Sequence, residues 1–184
     1  MIGGAGGVGS IAIQIAKKLT NTKVIATASR KETKQWCEKM GADLVVNHYD
    51  LQNELKKAKI DTVAYILNFA DTDSHWDNMA TIIAPQGQIC SIVENKEPLD
   101  LDKLKSKSAA FHWEFMFTRS LYKTNDMVAQ HKILEELCIL FEDGTLQSTI
   151  NKTFQGLNTE VFREVHKLQE SGKSIGKNVI RYNV

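Results

Sequence analysis

Cysteine is scarce in this 184-residue chain: Cys37, Cys90 and Cys138 stand far apart, odd in number and without CxxC spacing. That excludes a disulfide framework and a thiolate zinc site. The three read as small buried apolar residues of a reducing compartment. Charge of one sign is lacking too. Lys and Arg number 23 against 22 Asp and Glu, for a net charge of +1, which gives no field to draw nucleic acid or an anionic membrane. No apolar run reaches the roughly 18 residues of a membrane span, and no signal peptide precedes the first glycines. The expected setting is the cytoplasm. HExxH, GxSxG and a Walker lysine are absent, and no tyrosine is followed by the spacing Tyr-x-x-x-Lys. The five histidines, His48, His75, His112, His131 and His166, have no second ligand at metal spacing, so no zinc site is expected within this chain. The catalytic acid or base stays unassigned.

What is present comes first in the chain. Gly4, Gly6 and Gly9 satisfy G-x-G-x-x-G. In that motif the first glycine makes a strand-to-helix turn, the second lets backbone approach a diphosphate, and the third lets the helix pack closely. The diphosphate lies over the free N–H groups and positive dipole end of the helix. The bland alternative is an ordinary glycine-rich loop. Against it, Val8, Ile11, Ala12, Ile15, Ala16 and Leu19 form a helical apolar stripe directly afterwards, with Gln14, Lys17 and Lys18 outward. Only Met1 and Ile2 remain of an opening strand, so the chain reads as the cofactor-binding part of a longer enzyme.

Strand and helix patterns then alternate. Strands are expected over residues 23–28, 44–47, 61–69 and 88–93, and helices over 33–40, 51–58 and 74–84, the last stopped by Pro85-Gln86-Gly87. The aromatic run from Ala109 to Phe117 reads as a sixth strand. A helix over 127–141 should turn Leu134, Leu137, Cys138 and Phe141 inward and end at Asp143-Gly144. The fold class predicted is α/β, a doubly wound parallel (Rossmann) sheet of order 3-2-1-4-5-6 spanning residues 1–144. Residues 145–184 form a β-α-β tail, with Val161, Phe162, Val165 and Leu168 inward, too short to fold alone.

About 20 residues past the glycines an NAD site carries an acid for the ribose 2′-hydroxyl. Here stand Ser29, Arg30 and Lys31, a cationic pair suited to a 2′-phosphate that a carboxylate would repel. Glu32 is the objection. Its spacing from Ser29 fits a capping box, which would turn it to the helix start. NADP is therefore favoured over NAD, with a solvated helix start as the alternative for Arg30 and Lys31.

With these residues in hand the chain resembles the medium-chain dehydrogenase/reductase superfamily, on the branch of quinone oxidoreductases and zinc-type alcohol dehydrogenase-like proteins. The matching pieces are residues 3–9, 24–30, 40–43 (Met-Gly-Ala-Asp), 83–87, 115–119, Ser171-Gly172-Lys173 and Gly176-Lys177. The resemblance implies a tail that belongs to a catalytic domain whose main part is absent, and that part would carry any zinc ligands. It implies Gly6, Gly7 and Val8 at the pyrophosphate, Ser29, Arg30 and Lys31 at the adenosine phosphate, and Asn68, Phe69, Ile92 and Val93 beside the nicotinamide ribose. Lys177 would be a basic contact to the phosphates. The expected function is hydride transfer from NADPH to a quinone, enone or other small carbonyl compound. A zinc alcohol dehydrogenase and a non-catalytic NADPH-binding sensor or structural module are the alternatives. A homodimer is expected through the edge strand Ala109 to Phe117, since an uncovered apolar edge invites pairing; the alternative is that Glu94 to Ser108 or the C-terminal tail covers that edge within one subunit.

Overall fold

The computed structural model describes residues 1–182. Its elements run α1 (Gly7–Leu19), β1 (Ile25–Thr27), α2 (Lys31–Lys39), β2 (Leu44–Val46), α3 (Leu51–Lys57), β3 (Val63–Asn68), α4 (Thr72–Ile82) and β4 (Ile83–Ser91). They continue with α5 (Asp102–Lys105), β5 (Ala110–Trp113), α6 (Thr118–Leu121), α7 (Val128–Glu142), β6 (Ile150–Gln155), α8 (Thr159–Glu170) and β7 (Lys177–Arg181). Every strand pair among the described residues is parallel, as an alternating βα chain requires. The chain divides into two compact units: Met1–Ile2 with Tyr49–Gln147, and Gly3–His48 with Ser148–Val184.

In the unit that holds the glycine turn, β1 pairs with β2 and β6 with β7. Ile13, Val24, Ala26, Cys37, Met40 and Val46 form its core. The face of α1 differs from the sequence expectation. Its fully buried residues are Gly9, Ser10, Ile13 and Gln14, while Val8 and Leu19 are exposed. Ser10 and Gln14 can be buried because both are hydrogen-bonded: Gln14 Nε2 donates to the Ser10 carbonyl and to Met40 Sδ, each at 3.4 Å. The apolar stripe lies on the opposite, half-exposed side.

In the other unit β3, β4 and β5 form one sheet in that order, and Ile2 bridges Asn68 of β3. That is the 1-4-5-6 half of the expected order. Met79, Ile83, Ile89, Ile66, Trp76 and Leu146 make up the core. Two strand limits are corrected. Pro85 and Gln86 lie inside β4 and do not separate it from α4. Gln86 takes φ 61°, and the register with β3 shifts between Val63 and Tyr65, so the irregularity is absorbed as a bulge. The sixth strand ends at Trp113, not Phe117. Residues 113–117 are exposed without alternation, and the Thr118 amide donates to the Phe115 carbonyl at 3.0 Å, which turns the chain into α6. Helix α7 buries no residue: Leu134 and Phe141 are exposed, and so is Cys138. In the tail, Phe162 is exposed and Val161, Val165 and Leu168 are half-buried.

Candidate functional site

The glycine turn is built by close approach. Gly3, not Gly4, takes the left-handed conformation (φ 76°) that reverses the chain, and its amide donates to Thr27 Oγ1 at 3.1 Å. Gly4 has another duty: a β-carbon there would stand 2.8 Å from Ala26 Cβ. At Gly9 a β-carbon would collide with the Gly3 and Gly4 carbonyls. Gly6 is different. The nearest atom to a β-carbon at Gly6 is the Gly3 carbonyl oxygen, at 3.6 Å, so the protein itself does not need glycine there. A ligand that approached the backbone there would need it.

Helix α1 starts at Gly7 with no side-chain cap and no acid in its first turn. Its leading N–H groups and positive dipole end are therefore left for an anion. The side chain of Lys177 lies across that start. A β-carbon on Gly7 would meet Lys177 Cε at 2.5 Å and Nζ at 2.9 Å. The tail is seated there by backbone: the Gly176 amide donates to the Ala5 carbonyl at 2.8 Å, and Gly6 bridges Gly176. Trp36 of α2 fixes the same corner. Its Nε1 donates to Ser10 Oγ at 2.7 Å, which in turn donates to the Gly6 carbonyl at 2.6 Å. The parts that Ser10, Trp36 and Gly176 play at this corner were not foreseen from the sequence. A buried indole's need for an acceptor was the available signal.

At the start of α2 the expected Ser29/Glu32 capping box does not form. Arg30 is the N-cap of α2: its amide donates to Thr33 Oγ1 at 3.2 Å, and that hydroxyl donates back to the Arg30 carbonyl at 2.8 Å. Glu32 stays exposed beside Lys31. The Arg30 guanidinium donates once, from Nη2 to the Lys173 carbonyl at 3.0 Å, so most of its five donors remain for a ligand. Cys37 lies beneath the turn, and burial pushes its thiol up to about 11, far from any nucleophilic role. Ser29, Arg30, Lys31, Lys177 and the glycines thus belong to one unit.

Asn68, Phe69, Ile92 and Val93 belong to the other. Asn68 is completely buried. Its Nδ2 donates to Thr72 Oγ1 (2.9 Å) and Ser91 Oγ (3.0 Å), and its Oδ1 accepts from the Ala70 amide (3.3 Å). Thr72 Oγ1 donates to the Val93 carbonyl at 2.5 Å. The Asn68 side chain is spent on joining the ends of β3 and β4, while Phe69 and Val93 are half-buried and Ile92 is exposed. Thr72 and Ser91 are further members that sequence reasoning missed.

Among the described residues no three His, Cys, Asp or Glu side chains converge as a metal site, and no helix is long and apolar enough to cross a membrane. The donors for zinc do not fit here, whereas an uncapped helix start under a lysine fits a diphosphate.

Comparison with known proteins gives four findings. The profile of the family described as zinc-binding dehydrogenase matches residues 7–130. A zinc-type alcohol dehydrogenase-like protein of Staphylococcus aureus (strain MSSA476) is 48% identical over 98% of this chain and 54% of its own length. The chain thus spans about half the length of the curated relatives it matches. A crystal structure from Rhizobium etli CFN 42, provisionally assigned as a zinc-dependent alcohol dehydrogenase, superposes with TM-score 0.91 at 37% identity, covering 100% of this chain and 54% of that one. A mycobacterial protein solved with NADPH shares the fold at TM-score 0.80 and 20% identity, covering 97% and 54%. The doubly wound α/β class is therefore the class of this chain.

Proposed function

The chain belongs to the zinc-binding dehydrogenase family, and from that premise we propose that it is the nucleotide-binding part of an NADPH-dependent oxidoreductase. The substrate class proposed is a quinone, enone or other small carbonyl compound. The dinucleotide supplies the hydride when bound. This chain's residues hold and orient it. Gly6, Gly7 and Val8 take the diphosphate with Lys177, and Ser29, Arg30 and Lys31 take the 2′-phosphate. In the other unit, Asn68 (through its backbone), Phe69, Ile92 and Val93 are assigned to the nicotinamide ribose. The observation that carries NADPH over NADH is the spare guanidinium edge of Arg30 beside exposed Lys31, where an acid would mark a 2′-hydroxyl. The mycobacterial neighbour's bound NADPH agrees with it.

The double change Arg30→Ala/Lys31→Ala tests this. NADPH affinity should fall about tenfold or more, with NADH nearly unchanged, because only NADPH carries the 2′-phosphate. Equal losses for both cofactors, read by calorimetry, overturn the assignment. Turnover is assigned to the longer protein, so carbonyl reduction by the 184-residue chain alone would contradict that part. A cytoplasmic setting belongs to the same proposal, in line with three free cysteines. A homodimer through the β5 edge is proposed alongside it.

A further inference from the structure

We propose that the turn following α8 is a cofactor-specificity element, in which the Lys173 carbonyl positions the Arg30 guanidinium for the 2′-phosphate. The inference rests on the reading of Arg30 as a 2′-phosphate ligand. Arg30 and Lys173 are 143 residues apart in sequence, yet Nη2 donates to that carbonyl at 3.0 Å. A carbonyl oxygen carries partial negative charge, so it cannot share its edge of the fork with phosphate. An incoming phosphate is directed to the remaining N–H groups, which a fixed guanidinium presents as a bidentate pair.

The carbonyl is itself fixed. Ser171 Oγ donates to the Leu168 carbonyl at 2.6 Å and accepts from the Lys173 amide at 3.2 Å. Ser174 Oγ donates to Gln169 Oε1 at 3.0 Å and accepts from Asn178 Nδ2 at 3.1 Å. Between the two serines, Gly172 takes φ 66°. Two hydroxyls therefore lock a turn whose outward product is one carbonyl aimed at one arginine. Holding a long side chain in place before its ligand arrives lowers the ordering cost of binding. A single exposed hydrogen bond adds little to folding, so its loss should appear in selectivity rather than in stability. Ser171 and Ser174 act as positioning residues.

The experiment measures NADPH and NADH affinity by calorimetry on the 184-residue chain, with thermal unfolding as a control. Ser171→Ala/Ser174→Ala should lower the NADPH-to-NADH affinity ratio roughly 3- to 10-fold with NADH affinity unchanged. Arg30→Lys, which keeps the charge but loses the fork, should lower the ratio as well. Adding the serine changes to Arg30→Ala should produce no further loss, because the turn acts only through the guanidinium. If Arg30→Ala lowers the ratio and the serine pair does not, this inference is wrong and the 2′-phosphate reading survives. If the serine pair weakens both cofactors equally, the turn is only structural and the inference is overturned. If Arg30→Ala leaves the ratio intact, the 2′-phosphate reading fails and takes the inference with it.

Discussion

The Lys177 ammonium lies across Gly7, at the one place where α1 presents uncapped amides. A cation held at the positive end of a helix dipole is unfavourable unless an anion joins them. Lys177→Met should therefore weaken NADPH and NADH by the same factor, about 10-fold or more for a lost charge-assisted contact. Raising the salt should narrow the gap between variant and parent. Unequal losses would place Lys177 at the 2′-phosphate and not at the diphosphate both cofactors share.

Gly6 and Gly9 should fail in different ways. Gly9→Ala drives a methyl group into the Gly3 and Gly4 carbonyls, so it should lower the unfolding midpoint in urea and abolish nucleotide binding together. Gly6→Ala has 3.6 Å of clearance and should leave the midpoint nearly unchanged while weakening both cofactors. A Gly6→Ala chain that binds normally would show that no diphosphate approaches there.

Thr72 closes the buried network of Asn68, Ser91 and the Val93 carbonyl. Thr72→Val keeps the shape and removes the hydroxyl, leaving Asn68 and Val93 short of a partner at a cost of about 1–3 kcal/mol. Thr72→Ser should recover most of that. Urea denaturation separates the three chains, and equal stability for valine and serine would show the network to be idle.

Cys37 gives a pH signature. Its thiol is raised from 9.0 to about 11 by burial, so the folded state binds the proton more tightly than the unfolded one. Stability is then flat below pH 9 and falls as pH rises from 9 towards about 11. Cys37→Ala should remove that part of the slope, and an unchanged slope would refute the assignment. Thiol reagents at pH 8 should reach exposed Cys138 first and Cys37 only on unfolding.

The order of elements and the glycine turn were legible because glycine spacing and hydrophobic period are local properties of a sequence. The buried side of α1 was not. Ser10 and Gln14 are buried through partners on α2 and on α1 itself, and a polar side chain does not announce such a partner in advance. The cap of α2 slipped by one residue because Thr33 competes with Glu32 for the helix start. The aromatic run beyond Trp113 looked like strand because aromatics favour strands, yet its side chains do not alternate in burial. Lys177 and Arg30 were legible as charges. Their seating by Gly176 and Lys173 depends on contacts more than a hundred residues away in sequence, which spacing cannot show.

The shorter β5 changes how the proposed dimer should be tested. β5 is the edge of its sheet, and the Glu114 amide donates back to the Ser91 carbonyl at 2.9 Å. By strand alternation the amides of His112 and Ala110 also face β4, so those of Phe111 and Trp113 point away from the sheet. These outward amides are the ones a second chain can pair with. Trp113→Pro should remove one and convert the chain to monomers. Phe115→Pro should leave assembly intact, because residue 115 lies in the turn before α6 and outside the strand. Light scattering of the parent chain at high micromolar concentration should read twice its 20.7 kDa mass. A parent chain that reads as a monomer under those conditions rules out the β5 dimer.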